Sequence, residues 1–337
     1  MSSVNLVNVL RGNHIESSHR GHVAVVDADG RLLYYAGNPE KVVYARSSMK
    51  PIQTIPVVET GAADRYEFKD DDLSLCCASH NGESFHTDRV LDILARTGLE
   101  IDALQCGTHP PRWEETYKKL ILAGEQVTPL YNNCSGKHSG MLATAKHMGE
   151  DIDSYYLLDH PVQQRILDAV SEMCNYPREQ IEIGIDGCGV PVHGLPLKNI
   201  ALGFAKMANT SQLSASRAET SKRIITAMMN APEMVGGTER FCSDFMKVGN
   251  GRFFGKVGAE AVYCVGDLKT GLGIAVKIED GNARAVYPAI VHVLAELDLL
   301  SEEQQEGLAS YYRPSLENAR KEKIGELVPD FKLISIN

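Results

Sequence analysis

The chain has no apolar run approaching the length of a membrane span. Its first residues, Met1 to Gly21, carry no long apolar core behind basic residues. They do not read as a secretory signal, and a cytoplasmic protein is the default expectation. Positive charge is not in excess either. Lys and Arg number 34 against 44 Asp and Glu, a formal net charge of −10. A sequence-independent nucleic-acid binder needs a basic face, so no nucleic-acid partner is expected, and nothing points to an anionic membrane. Internal repeats, low-complexity tracts and Pro-, Ser- or charge-rich linkers are also missing. That absence favours one domain over residues 1–337 rather than separable modules.

What remains is an ordinary globular composition in a chain of 337 residues, long enough for a large core. Without a secretion signal its eight cysteines are expected to be mostly reduced. Cys76, Cys77, Cys174 and Cys264 sit in apolar runs and read as small core residues. Cys134 and Cys188 lie instead in glycine-rich turns. Near the N-terminus, the β-formers His22–Val26 and Leu32–Tyr35 flank Asp27-Ala28-Asp29-Gly30, a hairpin signal. The middle is helical in pattern over Thr87–Thr97, Gly140–His147, Pro161–Met173 and Ser216–Met229, with one short strand at Ile181–Ile185. Strand patterns return at Phe253–Lys256, Ala261–Val265 and Gly273–Ile278, before a helix over Tyr287–Leu299. The fold class expected is α+β, an α/β sandwich. Strands at about 4–37 and 252–279 form one antiparallel sheet, with a helical region between them in sequence.

The densest chemistry is at Ser47-Ser48-Met49-Lys50. Side chains three apart on a helix share a face, so a serine hydroxyl and a lysine amine can meet there. Serine is a poor nucleophile at neutral pH unless a neighbouring base takes its proton. Alone, Ser-x-x-Lys is equally an ordinary capped helix with a solvated lysine. Here it is followed in order by Ser79-His80-Asn81 and Lys256-Val257-Gly258. Penicillin-binding proteins and class A β-lactamases carry elements of this form in this order. The similarity is one of chemistry and architecture, because Ser79 follows Ser47 early and no deacylating Glu can be assigned. Lys256 also fits an exposed strand lysine, and Ser79 a polar turn after a helix. The glycine after the strand lysine is expected to let substrate lie against the backbone.

A second constellation runs through Asn132–Gly140, with Cys134 and Lys137 three apart, and through Asp186-Gly187-Cys188-Gly189, with His193 just beyond. One reading is a helix entry and a tight turn with incidental thiols. Another is a metal site, since two thiolates and a nitrogen donor suit Zn²⁺ with a fourth position open. A third makes Cys134 a nucleophile beside His138, its thiol acidified at a helix N-terminus.

Ala45–Pro51, Ala78–Glu83, Asn133–His138, Asp186–Pro191 and Gly255–Glu260 together resemble the asparaginase II family, the rhizobial-type or class 3 L-asparaginases. The resemblance spans nearly the whole chain. It implies hydrolysis of L-asparagine to L-aspartate and ammonia, a fold similar to serine β-lactamases and glutaminases, and a homodimer. It implies Ser47 as nucleophile with Lys50, and Ser79 with Lys256 as a second pair. Cys134, Lys137 and Cys188 would bind zinc, with Arg46, His138 and Asp186 lining the site. Asn81 of the Ser-x-Asn element is grouped with these substrate-binding residues. Burial and zinc together are expected to depress the Lys137 amine. Glutaminase activity, another serine amidohydrolase, or a zinc- or amino-acid-binding protein without turnover are the alternatives.

Overall fold

The computed structural model describes residues 2–336. Its strands, in chain order, are β1 (Val4–Arg11), β2 (His14–Val26), β3 (Leu32–Ala36), β4 (Val42–Tyr44), β5 (Glu182–Ile185) and β6 (Pro191–Pro196). They continue with β7 (Phe253–Gly258), β8 (Val262–Asp267), β9 (Leu272–Ile278), β10 (Ser315–Glu317), β11 (Lys323–Pro329) and β12 (Ile334–Ser335). The chain forms two compact units. One comprises the chain up to Ser48, Leu195–Asn209 and everything from Val248 onward. The other comprises Met49–Gly194 and Thr210–Lys247. The class is α+β.

The first unit is built on an antiparallel sheet of order β10-β11-β1-β2-β9-β8-β7, with β3 paired to β2 and to β12. Both ends of the chain supply it, as expected. The Asp27–Gly30 turn joins β2 to β3 as the hairpin signal requires. Asp27 Oδ1 accepts from the N–H groups of Asp29 and Arg31, and Gly30 takes φ +84°. The sequence pattern marks only the last five residues of β2, and the strand begins eight residues earlier, at His14. That outer half is mostly exposed and lacks apolar alternation. It is strand because β1 pairs with it from Val4 opposite Gly21 to Arg11 opposite His14. The inner half, flanked by β9 and β3, is buried throughout. Helix Leu197–Ala208 packs on β2, β8 and β9, and helix Ala283–Glu296 on β9, β11 and β1. The Phe204 and Phe254 rings stack at 5.4 Å within this core.

The second unit is helical. Pro161–Met173 matches its expected bounds. It starts at a proline in the first turn, with His160 accepting from the Val162 N–H. Ala215–Asn230 is capped by Ser214, and Ser84–Thr97 ends on Gly98 at φ +67°. The helix expected at Gly140–His147 is longer, running Ser135–Met148, and its residues Ser135 to Ala145 are all buried. A Cβ on Gly136 would overlap the Leu75 carbonyl, so glycine there lets this helix lie directly against helix Asp70–Cys76. The extension matters for the site, because Lys137 and His138 stand on rigid helix and Cys134 at its N-cap. Strands β5 and β6 form an antiparallel hairpin, with Ile185 opposite Pro191. Among the described residues, no helix is long and apolar enough to cross a membrane.

Candidate active site

In the sheet unit, Ala45–Ser48 forms a turn against the end of β7. A Cβ on Gly258 would stand 2.5 Å from the Ala45 carbonyl and 3.2 Å from the Ser48 N–H nitrogen. Gly258 is therefore required by this turn, whatever else lies against the strand. The turn is fixed by Ser48, whose hydroxyl donates to Ala45 O at 2.6 Å. Arg46 adopts φ +52°, a left-handed conformation costly for a side chain with a Cβ. It is the residue immediately before Ser47, which is itself buried. Lys256 is fully buried, not an exposed strand lysine. It lies opposite Cys264 in the β7–β8 register and donates to its neighbour's carbonyl, Val257 O, at 2.8 Å. Burial pushes the Cys264 thiol up to about 12, against the opposing pull of the Ser48 hydrogen bond and the Lys256 charge. Ser47, Arg46 and Lys256 thus belong to one unit.

The backbone continues from the 3₁₀ turn Arg46–Met49 directly into helix Lys50–Gln53. Ser47 lies in the 3₁₀ turn and Lys50 opens the helix that follows it.

The helical unit gathers most of the remaining residues. The Lys50 amine is fully buried and donates to Ala78 O, to Ser79 Oγ at 3.2 Å and to Cys134 Sγ at 3.1 Å. Ser79 stands just past helix Asp70–Cys76, with its N–H on Val235 O at 2.9 Å. Lys137, one turn into the Ser135–Met148 helix, donates to Cys188 Sγ at 3.1 Å. Cys188 occupies the turn after β5, closed by Asp186 N–H to Val190 O at 2.9 Å and Gly189 N–H to Asp186 O at 2.9 Å.

The two thiols share a hydrogen bond and respond in opposite directions. Cys188 is acidified by the bond from Cys134 and by the Lys137 charge, and burial only partly offsets this. Cys134 is pushed up by the same bond and by burial, against the pull of Lys50 and Lys137. Cys188 is the thiolate and Cys134 the thiol donor. This reverses the expectation that the helix N-terminus acidifies Cys134. Burial lowers the Lys137 amine, but the charges of Cys188 and Asp186 and the hydrogen bond to Cys188 outweigh burial in the metal-free chain and raise it. The chain's own groups hold Lys137 protonated.

His138 faces this cluster from the next helix position. Burial, reinforced by the Lys137 charge, lowers its imidazole to about 3, so it is neutral. Its Nδ1 is 2.6 Å from Tyr155 Oη, which in turn accepts from the Gln105 N–H at 3.0 Å. The other nitrogen, Nε2, is buried without a protein partner. Tyr155 carried no sequence signal, since it sits in a polar stretch with no pattern. Asn81 is buried and its amide is committed to the protein. It donates to Glu83 Oε1 at 3.3 Å and Thr238 O at 3.0 Å, and accepts from Arg240 at 3.1 Å.

Among the described residues, no group of three or more His, Cys, Asp or Glu side chains comes together as a metal site. His193 does not join Cys134 and Cys188 in such a group. Its Nδ1 is likewise buried without a partner. The donor set available is two sulfurs and the Lys137 amine. That chemistry fits a soft four-coordinate ion with an open position, and His138 Nε2 is an orphaned atom beside it. A cavity of about 350 Å³ between helices Ser84–Thr97 and Glu114–Ala123 contains none of these residues.

The sequence profile of the L-asparaginase II family matches residues 7–329, and the chain belongs to that family. No curated protein sequence matches it. Among solved structures, similarity is seen to a putative β-lactamase from Bacteroides dorei at TM-score 0.44 and 12% identity, covering 82% of this chain and 93% of that one. A β-lactamase from Mycobacterium bovis follows at 0.41 and 12%, covering 87% and 95%. A class C β-lactamase from Rhodobacter sphaeroides gives 0.39 and 15%, covering 81% and 95%.

Proposed function

We infer that the protein is an L-asparagine amidohydrolase, releasing L-aspartate and ammonia through a serine nucleophile. The observation that carries this reading is the Lys50 amine, fully buried, bonded to Ser79 Oγ and Cys134 Sγ and three residues past Ser47. Membership of the L-asparaginase II family supports the choice of substrate. Ser47 Oγ attacks the side-chain amide carbon and Lys50 takes its proton. Backbone N–H groups of the Arg46–Met49 turn receive the oxyanion. The C–N bond breaks, and ammonia leaves with a proton delivered through Ser79 and Lys256. Water then hydrolyses the aspartyl ester and restores Ser47. Arg46, His138 and Asp186 orient the substrate, and Asn81 acts on the same site by holding the Thr238–Arg240 segment.

Cys134, Lys137 and Cys188 hold Zn²⁺ in this reading. The ion, when bound, supplies positive charge that orients substrate. Lys137 must shed its proton to bind it, so metal affinity falls as pH falls. Metal content unchanged on acidification through neutrality would sink the zinc assignment. We further take the chain to act as a single catalytic domain, as a homodimer in the cytoplasm, which sedimentation and fractionation test.

The deciding experiment is ammonia release by wild type and Ser47→Ala. Loss of about 10⁴-fold or more in kcat is expected, and substantial retained activity would refute the nucleophile. Parallel assays with glutamine separate asparaginase from glutaminase, since one methylene is worth only about 1–3 kcal/mol in a pocket. No ammonia from any amide would leave a binding protein.

A further inference from the structure

Ser79 and Cys134 both bond the Lys50 amine, yet they stand on different segments, one after helix Asp70–Cys76 and the other at the start of helix Ser135–Met148. One fully buried side chain ties the two segments together. His80 Nδ1 accepts from the Gly82 N–H at 3.1 Å. That bond places the ring proton on Nε2, which donates to Ser135 Oγ at 2.9 Å. Ser135 passes the polarity on, its hydroxyl donating to Leu130 O at 2.9 Å. The His80 backbone N–H adds a second tie, to Asn133 O at 3.2 Å.

The ring is also wedged. It stacks on His86 at 4.8 Å and 18°. His86 is fixed in turn, with Nδ1 accepting from the Glu83 N–H at 3.3 Å and Nε2 on Glu233 O at 3.1 Å. Burial holds both imidazoles neutral, His80 well below its ordinary value and His86 at about 4. Each ring therefore has one tautomer and a complete set of partners. A buried imidazole in a saturated network is a rigid spacer rather than a proton carrier.

We propose that His80 is a positioning residue, setting the separation of Ser79 and Cys134 across Lys50 through its Nε2–H···Ser135 bond. It touches no reacting atom. Its effect is to hold the Lys50 amine on Ser79 Oγ, and so the reach of the proton relay. The proposal rests on the function inferred above, but its structural half does not.

The test compares His80→Phe, His80→Gln and Ser135→Ala in the full chain. Phenylalanine keeps the stack on His86 and loses both hydrogen bonds, whereas the Gln amide N–H takes the place of Nε2–H. His80→Phe is expected to lower kcat by about 30–100-fold with KM changed less than threefold, while His80→Gln recovers most of it. Ser135→Ala in the His80→Phe background should lower kcat by less than Ser135→Ala alone, since the His80–Ser135 bond is already gone and only the Ser135 bond to Leu130 O remains to be lost. A merely structural role would lower Tm and leave kcat per folded molecule unchanged, which overturns the proposal. Crystal structures give a second reading that needs no activity. Ser79 Oγ and Cys134 Sγ should shift relative to each other by more than about 0.5 Å in His80→Phe and not in His80→Gln. Unchanged separation also overturns it. An inactive Ser47→Ala beside a fully active His80→Phe would defeat this inference alone. An active Ser47→Ala would defeat the mechanism instead.

Discussion

Two buried charges, one in each unit, are held in different ways. In the sheet unit the Asp267 carboxylate is fully buried and saturated. Oδ1 accepts from Arg252 Nε at 2.9 Å and the Lys269 N–H at 3.0 Å, and Oδ2 from Arg252 Nη2 at 2.8 Å and Thr270 Oγ1 at 2.7 Å. In the helical unit the Lys137–Cys188 pair is also buried, but the neutral His138 and His193 beside it each keep a nitrogen without a partner. Buried polar atoms are normally satisfied. A saturated charge is an anchor for the fold, and a charge beside open polar atoms leaves bonding capacity for a ligand. The two lysines of the helical unit differ further. Lys137 faces a thiolate, which holds its proton, and an ion-paired ammonium is a poor base. The bonded partners of Lys50 are a carbonyl, a hydroxyl and a thiol.

The largest expected effect separates these lysines. Lys50→Met should cost about 10²–10⁴-fold in kcat, the usual contribution of a general base, with the metal content of the protein unchanged. Lys137→Met should do the reverse. Zinc affinity should fall by at least about 10–100-fold, the cost of disturbing even an outer partner of a metal, with a smaller loss of kcat at saturating zinc. Paired kinetics and metal analysis on both variants check this. Equal losses of kcat and of metal in both would erase the distinction between base and ligand.

Much of this was legible in the sequence. Apolar periodicity located the helix Pro161–Met173 and the strands β7, β8 and β9 to within a few residues, because each buries a regular face. Residue types at fixed spacing singled out Ser47, Lys50, Cys134 and Lys137, all of which are buried. Illegible were features that depend on contacts distant in the chain. The outer half of β2 is strand only because β1 pairs with it, and the extra turn of helix at Ser135 exists because Gly136 meets Leu75. The opposite responses of Cys134 and Cys188 follow from the hydrogen bond between two thiols that stand more than fifty residues apart in the chain. No spacing rule contains that.

The smallest effect on turnover, and a clear one on stability, is expected at the saturated anchor. Burial alone would raise the Asp267 carboxyl, but the bonds from Arg252, Thr270 and the Lys269 N–H outweigh it and hold the group below its ordinary value. With the folded value below the unfolded value of about 3.9, the unfolded chain binds the proton more readily. The stabilisation is complete above the unfolded value and is lost as pH falls through the folded one. Arg252→Met leaves the buried carboxylate uncompensated and should cost about 3 kcal/mol at pH 7, with KM for the amide unchanged. In the variant burial dominates and raises the Asp267 carboxyl, so acid relieves it. The stability gap between wild type and variant should narrow steadily from pH 7 to pH 3 in urea unfolding. A gap that stays constant would mean that Arg252 contributes through its stacking on Phe253, at 4.6 Å, rather than through the carboxylate. The contrast between anchoring and open charge would then lose its best example.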